Sequence, residues 1–120
     1  MFYVRVKRPI IDLKAMPKFK PFDGEESKWS DWKFYAMEHF DGLGMRTMVD
    51  AVGKKTESDL MYGNLDEDAR AVTLALWRIL QSVCTSKAET TITMAIEREN
   101  GFLAWKCLLH EYMVPLSELG

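Results

Sequence analysis

Residues 66–83 read DEDARAVTLALWRILQSV. The apolar side chains of Ala69, Val72, Leu76, Ile79, Leu80 and Val83 return every three or four positions, which is one seam of an α-helix. Asp66 stands where a carboxylate caps free backbone N–H groups, and Glu67 and Asp68 suit the positive end of the helix dipole. Leu74, Ala75 and Trp77 add apolar surface on the other sides. A helix with apolar groups most of the way round is surrounded by neighbours, so this segment is expected at the centre of the fold.

Downstream, Ser86-Lys87-Ala88-Glu89 has the residues of a capping box and predicts a helix through Arg98, with Ala88, Ile92, Ala95 and Ile96 toward the core. Asn100-Gly101 ends that helix and opens the next, whose seam of Phe102, Trp105, Leu108, Leu109 and Tyr112 runs until Pro115 forbids continuation. Upstream, Trp29, Trp32, Ala36 and Phe40 share one face of a helix that starts at Ser27 and stops at Gly42. A short helix over Leu43 to Val52 is expected to bury Met45, Met48, Val49 and Val52 and to end at Gly53. Residues 54–65 are polar, contain Gly63-Asn64 and read as a loop. The expected fold is all-α, a compact bundle of about five helices over residues 28–114, with residues 115–120 as the start of a linker.

Residues 1–27 hold Pro9, Pro17 and Pro21 and the Asp23-Gly24 turn pair, which excludes a long helix and predicts an extended arm. The opening Phe2-Tyr3-Val4-Arg5-Val6 run favours β geometry without a second strong strand to pair with. Charge divides the chain in the same place. Residues 1–20 carry a net +5 and the remaining hundred a net −7. Arg5, Lys7, Arg8, Lys14, Lys18 and Lys20 form either a solvated tail or a modest patch for RNA phosphates.

At 120 residues, 48% apolar and 28% charged, the chain matches a single globular domain rather than a disordered segment. A domain of this size buries roughly two-thirds of its unfolded surface. Its longest apolar runs fall short of the ~20 residues that cross a bilayer, so no membrane span is expected. Cys84 and Cys107 sit in apolar helical patterns rather than in a disulfide framework, and the expected compartment is a reducing cytoplasm.

The sequence contains no nucleotide-binding glycine loop, no Gly-x-Ser-x-Gly elbow and no His-Glu-x-x-His, so no catalytic residue and no cofactor is assigned. Cys107 and His110 lie three apart on one helical face, where Cys84 or His39 would have to complete a zinc site. Without a second close pair, the reading is a buried thiol beside a surface imidazole, and no metal is assigned. The Asp66-Glu67-Asp68 cluster is explained by capping and the helix dipole. Four tryptophans fall on apolar helix faces, where they pack the core or line a groove for a peptide.

Three segments stand in a definite order: Pro21-Phe22-Asp23-Gly24, then Trp29-x-x-Trp32, and finally Ala104-Trp105-x-x-Leu108-Leu109-x-x-Tyr112. Together, over about residues 16–114, they resemble the Gag capsid region of copia-type LTR retrotransposons. There a short Phe-x-Gly segment precedes a Trp-rich first helix, and an Ala-Trp-x-x-Leu…Tyr helix closes the first lobe. The resemblance implies a fold similar to the amino-terminal lobe of a retroviral capsid. It also implies homotypic contacts that build a virus-like particle around retrotransposon RNA. The matching residues, Phe22, Gly24, Trp29, Trp32, Trp105, Leu109 and Tyr112, would be architectural. A complete Gag adds a second lobe and a Cys-x2-Cys-x4-His-x4-Cys knuckle, absent here, so RNA packaging would draw on the basic arm or on a following region. The alternative reading is a helical adaptor domain that binds a peptide.

Overall fold

The computed structural model describes residues 19–113. Helix α4 (Glu67–Val83) begins where Asp66, in extended geometry, accepts a hydrogen bond at Oδ1 from the Ala69 N–H at 2.8 Å. Its inward side chains are Val72, Thr73, Ala75, Leu76, Ile79, Leu80 and Val83, all buried. The seam read from the sequence is therefore the core face, with Ala69 half-buried at its edge and Trp77 half-buried on the far side.

Helix α6 (Gly101–Tyr112) crosses α4 at backbone distance. A Cβ on Gly101 would stand 2.4 Å from the Trp77 nitrogen and 2.5 Å from the Thr73 carbonyl oxygen, so only glycine permits the approach. Asn100 caps α6 by accepting from the Leu103 N–H at 3.0 Å. The same buried side chain donates from Nδ2 to the Leu60 carbonyl at 2.8 Å and to Glu97 Oε1 at 2.8 Å. Thr73 completes the hub: its hydroxyl donates to Asn100 Oδ1 at 2.8 Å and accepts from the Phe102 N–H at 3.0 Å. The side-chain polar atoms of Thr73 and Asn100 all have partners, as low-dielectric surroundings require.

Helix α1 (Trp29–Gly42), preceded by a 3-10 turn over Glu26–Lys28, buries Trp29, Trp32, Ala36, Met37 and Phe40. Helix α2 (Arg46–Ala51) and the 3-10 turn Val52–Lys54 bury Val49 and Val52, with Met45 fully inside and Met48 packed at the margin.

Two segments depart from the expectation, and the described residues form six α-helices rather than five. The polar stretch 54–65 holds a one-turn helix, α3 (Glu57–Leu60), and a 3-10 turn (Tyr62–Asn64). Helix α3 has a true capping box: the Asp59 N–H donates to Thr56 Oγ1 at 3.1 Å, and the Thr56 N–H to Asp59 Oδ2 at 3.3 Å. It exists because Leu60 plugs the core and its carbonyl serves Asn100.

Conversely, α5 (Ser86–Ile92) stops six residues before Arg98 and lacks the predicted box. Ser86 has φ +53, so Thr85 occupies the extended N-cap position and makes no side-chain cap bond. The Thr91 and Thr93 hydroxyls bond back to the carbonyls of Lys87 and Thr90, competition that weakens a helix end, and Ile96 is left exposed. No β-strand occurs among the described residues; one isolated bridge pairs Phe22 with Cys84.

Candidate functional site

The Phe22-Asp23-Gly24 segment is clipped to the junction of α4 and α5 by backbone hydrogen bonds. The Phe22 N–H donates to the Val83 carbonyl at 2.9 Å, and the Thr85 N–H to the Phe22 carbonyl at 2.9 Å. This places the Phe22 ring, 1% exposed, among side chains from both ends of the described chain. It stacks on Trp32 with centroids 5.0 Å apart and meets Tyr112 edge-on at 5.3 Å. Trp29 stacks on Tyr112 at 5.3 Å, and Trp105 lies 5.9 Å from Trp29 and 6.1 Å from Trp32. Offset and edge-on ring pairs of this kind contribute about 0.5–1.5 kcal/mol each beyond their area.

Gly24 closes the knot. Its φ is +94°, and a Cβ there would meet the Ala88 nitrogen at 2.5 Å and the Tyr112 hydroxyl at 2.9 Å. Asp23, the residue before it, accepts from the Glu25 N–H at Oδ1 and pairs through Oδ2 with Lys28 at 3.2 Å. The Glu25 N–H first, and then Lys28, hold the Asp23 carboxyl below its usual range.

Six of the seven motif residues thus meet in one knot: Phe22, Gly24, Trp29, Trp32, Trp105 and Tyr112. Leu109 does not join it; half-buried, it packs toward Gly53, 3.7 Å from where a Cβ on that glycine would stand. Two further rings extend the cluster: Phe40, on the helix face read from the sequence, and Phe19, which the sequence left unassigned. Phe40 lies edge-on to Trp105 at 5.5 Å, and Phe19 packs against Phe40, Tyr35 and His39. Phe19 sits within the basic arm, where no periodicity points to it. Asn100 was visible only as half of a turn pair.

Of the basic residues read as candidate RNA contacts, Arg5, Lys7, Arg8, Lys14 and Lys18 lie outside the described residues, as do the opening β-prone run and residues 115–120. Lys20 is described. Its carbonyl accepts from Trp32 Nε1 at 2.9 Å, and its ammonium stands 4.9 Å from the centre of the Tyr35 ring.

Among the described residues no three His, Cys, Asp or Glu side chains cluster as a metal-ligand set. Cys84 is buried, and desolvation, with a smaller contribution from Glu89, pushes its thiol up to about 12. Burial also raises the Cys107 thiol, while His110 is exposed. None of the described helices is long and apolar enough to cross a membrane.

Comparison with known protein families, with curated proteins and with solved structures returns no match.

Proposed function

We propose that this chain is a structural self-association module, a capsid-like lobe of a retrotransposon Gag protein or of a host gene derived from one. The observation that supports the reading is the convergence of Phe22, Gly24, Trp29, Trp32, Trp105 and Tyr112, from three separate stretches of chain, in a single knot. The knot orders a rigid unit and uses its aromatic groups internally, leaving assembly to the outer faces of the helices. Weak contacts repeated over many copies would then supply the stability that one small interface lacks. The basic arm would add a salt-dependent attraction for RNA, and the two free thiols suit a reducing cytoplasm.

Sedimentation of the full chain over a wide concentration range tests this. Reversible association that grows with concentration is expected, and a protein that stays monomeric at millimolar concentration overturns it. Removal of residues 1–18, which leaves Phe19 in the aromatic cluster and the Lys20 carbonyl on Trp32, is expected to abolish most of the salt-dependent part of RNA binding; binding that is unchanged, or insensitive to salt, removes the arm from the proposal.

A further inference from the structure

The outer surface of the bundle carries two features of opposite character. On α1, Phe34 is 68% exposed, a large apolar side chain with no place in the core. Asp31, Glu38 and Asp41 share its outward stripe at helical spacing, and all three are exposed. Glu38 is paired with Arg46 at 3.2 Å, whereas Asp31 and Asp41 have no ion-pair partner among the described residues. The stripe is an aromatic knob between two carboxylates that are unpaired among the described residues.

The second feature is a cleft between α4 and the irregular segment that follows α5. Trp77 and Gln81 form one wall, and Ile92, Ala95 and Arg98 the other, enclosing about 390 Å³. Arg78 and Glu99 stand on the adjoining rim. Arg78 and Arg98 are exposed and have no ion-pair partner among the described residues, and Glu97 is already engaged by the Tyr62 N–H and Asn100 Nδ2. The cleft exists because α5 stops at Ile92 and Gly101 draws α6 against the Trp77 backbone. A cavity of about 150 Å³ already accepts a benzene ring, so the volume suffices for a phenyl group.

We propose that copies of this chain associate head to tail, with Phe34 of one copy seated in the Trp77 cleft of the next and Asp31 and Asp41 facing Arg78 and Arg98. This rests on the self-association reading and names its surfaces. The occupant follows from complementarity: an exposed aromatic flanked by carboxylates matches an aromatic-walled cleft flanked by arginines. An aromatic anchor with arginines at the margin is also the composition in which binding energy concentrates. The contact uses different faces on its two sides, so a joined pair still presents one free knob on one copy and one free cleft on the other. Growth then continues into rings or filaments rather than stopping at a dimer.

The test uses two full-chain variants, Phe34→Asp and Arg98→Asp, both at exposed positions, with circular dichroism to show that each is folded. Alone, each is expected to weaken association about tenfold or more in sedimentation. Mixed in equal amounts, they are expected to form dimers and nothing larger, because the Phe34→Asp chain keeps an intact cleft and the Arg98→Asp chain an intact knob. Variants that associate like the unchanged chain, or a mixture that associates no better than its components, overturn the head-to-tail contact alone. The second result would point instead to a symmetric knob-to-knob interface or to another partner for the cleft. An unchanged chain that never associates overturns both this contact and the self-association reading.

Discussion

The Tyr112 hydroxyl donates to the Gly24 carbonyl at 2.9 Å, joining positions 88 residues apart in the chain. Replacing Tyr112 with Phe keeps the ring stack and orphans that buried carbonyl, at an expected cost of about 1–3 kcal/mol. Gly24→Ala is expected to cost more, because the methyl group must displace the Ala88 backbone at a φ of +94°. Urea unfolding checks the order, and a Gly24→Ala protein as stable as the parent would contradict the knot geometry.

Asn100 serves four partners through two atoms: Thr73, Leu103, Leu60 and Glu97. Its replacement by Ala removes a helix cap and leaves the Leu60 carbonyl without its Asn100 donor, with an expected loss of about 3 kcal/mol or more. Thr73→Val, which keeps the shape but removes the hydroxyl, should fall in the same direction by a smaller amount. Thermal or chemical unfolding of both variants separates this hub from an ordinary turn, where Asn→Ala would change little.

The capping box expected at Ser86 and the one found at Thr56 give opposite results. Thr56→Ala is expected to destabilise by about 1 kcal/mol, since its oxygen caps Asp59. Ser86→Ala is expected to stay within about 0.5 kcal/mol, since Ser86 caps nothing and stands at φ +53. Equal losses at the two positions would show that the assignment of the caps is wrong.

Cys84 supplies a pH dependence whose sign follows from burial. Its ordinary value is 9.0 and its folded value about 12. The folded state therefore keeps a proton that the unfolded chain releases. The stabilisation is complete below about pH 9 and is lost as pH rises toward 12. A Cys84→Ala variant should show a flatter decline over that window. In the folded parent, a thiol reagent at pH 8 should modify the half-buried Cys107 well before Cys84.

Helices α1, α4 and α6 were legible because each carries several large apolar residues at helical spacing, and nothing in the tertiary structure opposes them. Helix α3 was not, since a single buried residue, Leu60, gives no period to detect. The four-residue patterns beginning at Thr56 and Ser86 look alike in composition; the difference is one backbone angle, imposed when Phe22 pairs with Thr85 and takes over the turn. The ordered motif residues named most of the knot and the period of the first helix added Phe40, whereas Phe19 enters only through packing across the chain. The Phe34 knob reads in the sequence as one more helical aromatic, and only the direction of the α1 face shows that it points outward.

The clasp between Gly24 and Tyr112 also has a mechanical meaning. It brings the two flanks of the described unit to one corner, so a load arriving through both flanks acts on adjacent points. Such a load peels the rings apart one after another instead of dragging long helices past each other in parallel. The unit is a closed loop of chain, a shape suited to insertion as a cassette between other segments without separating what lies on either side.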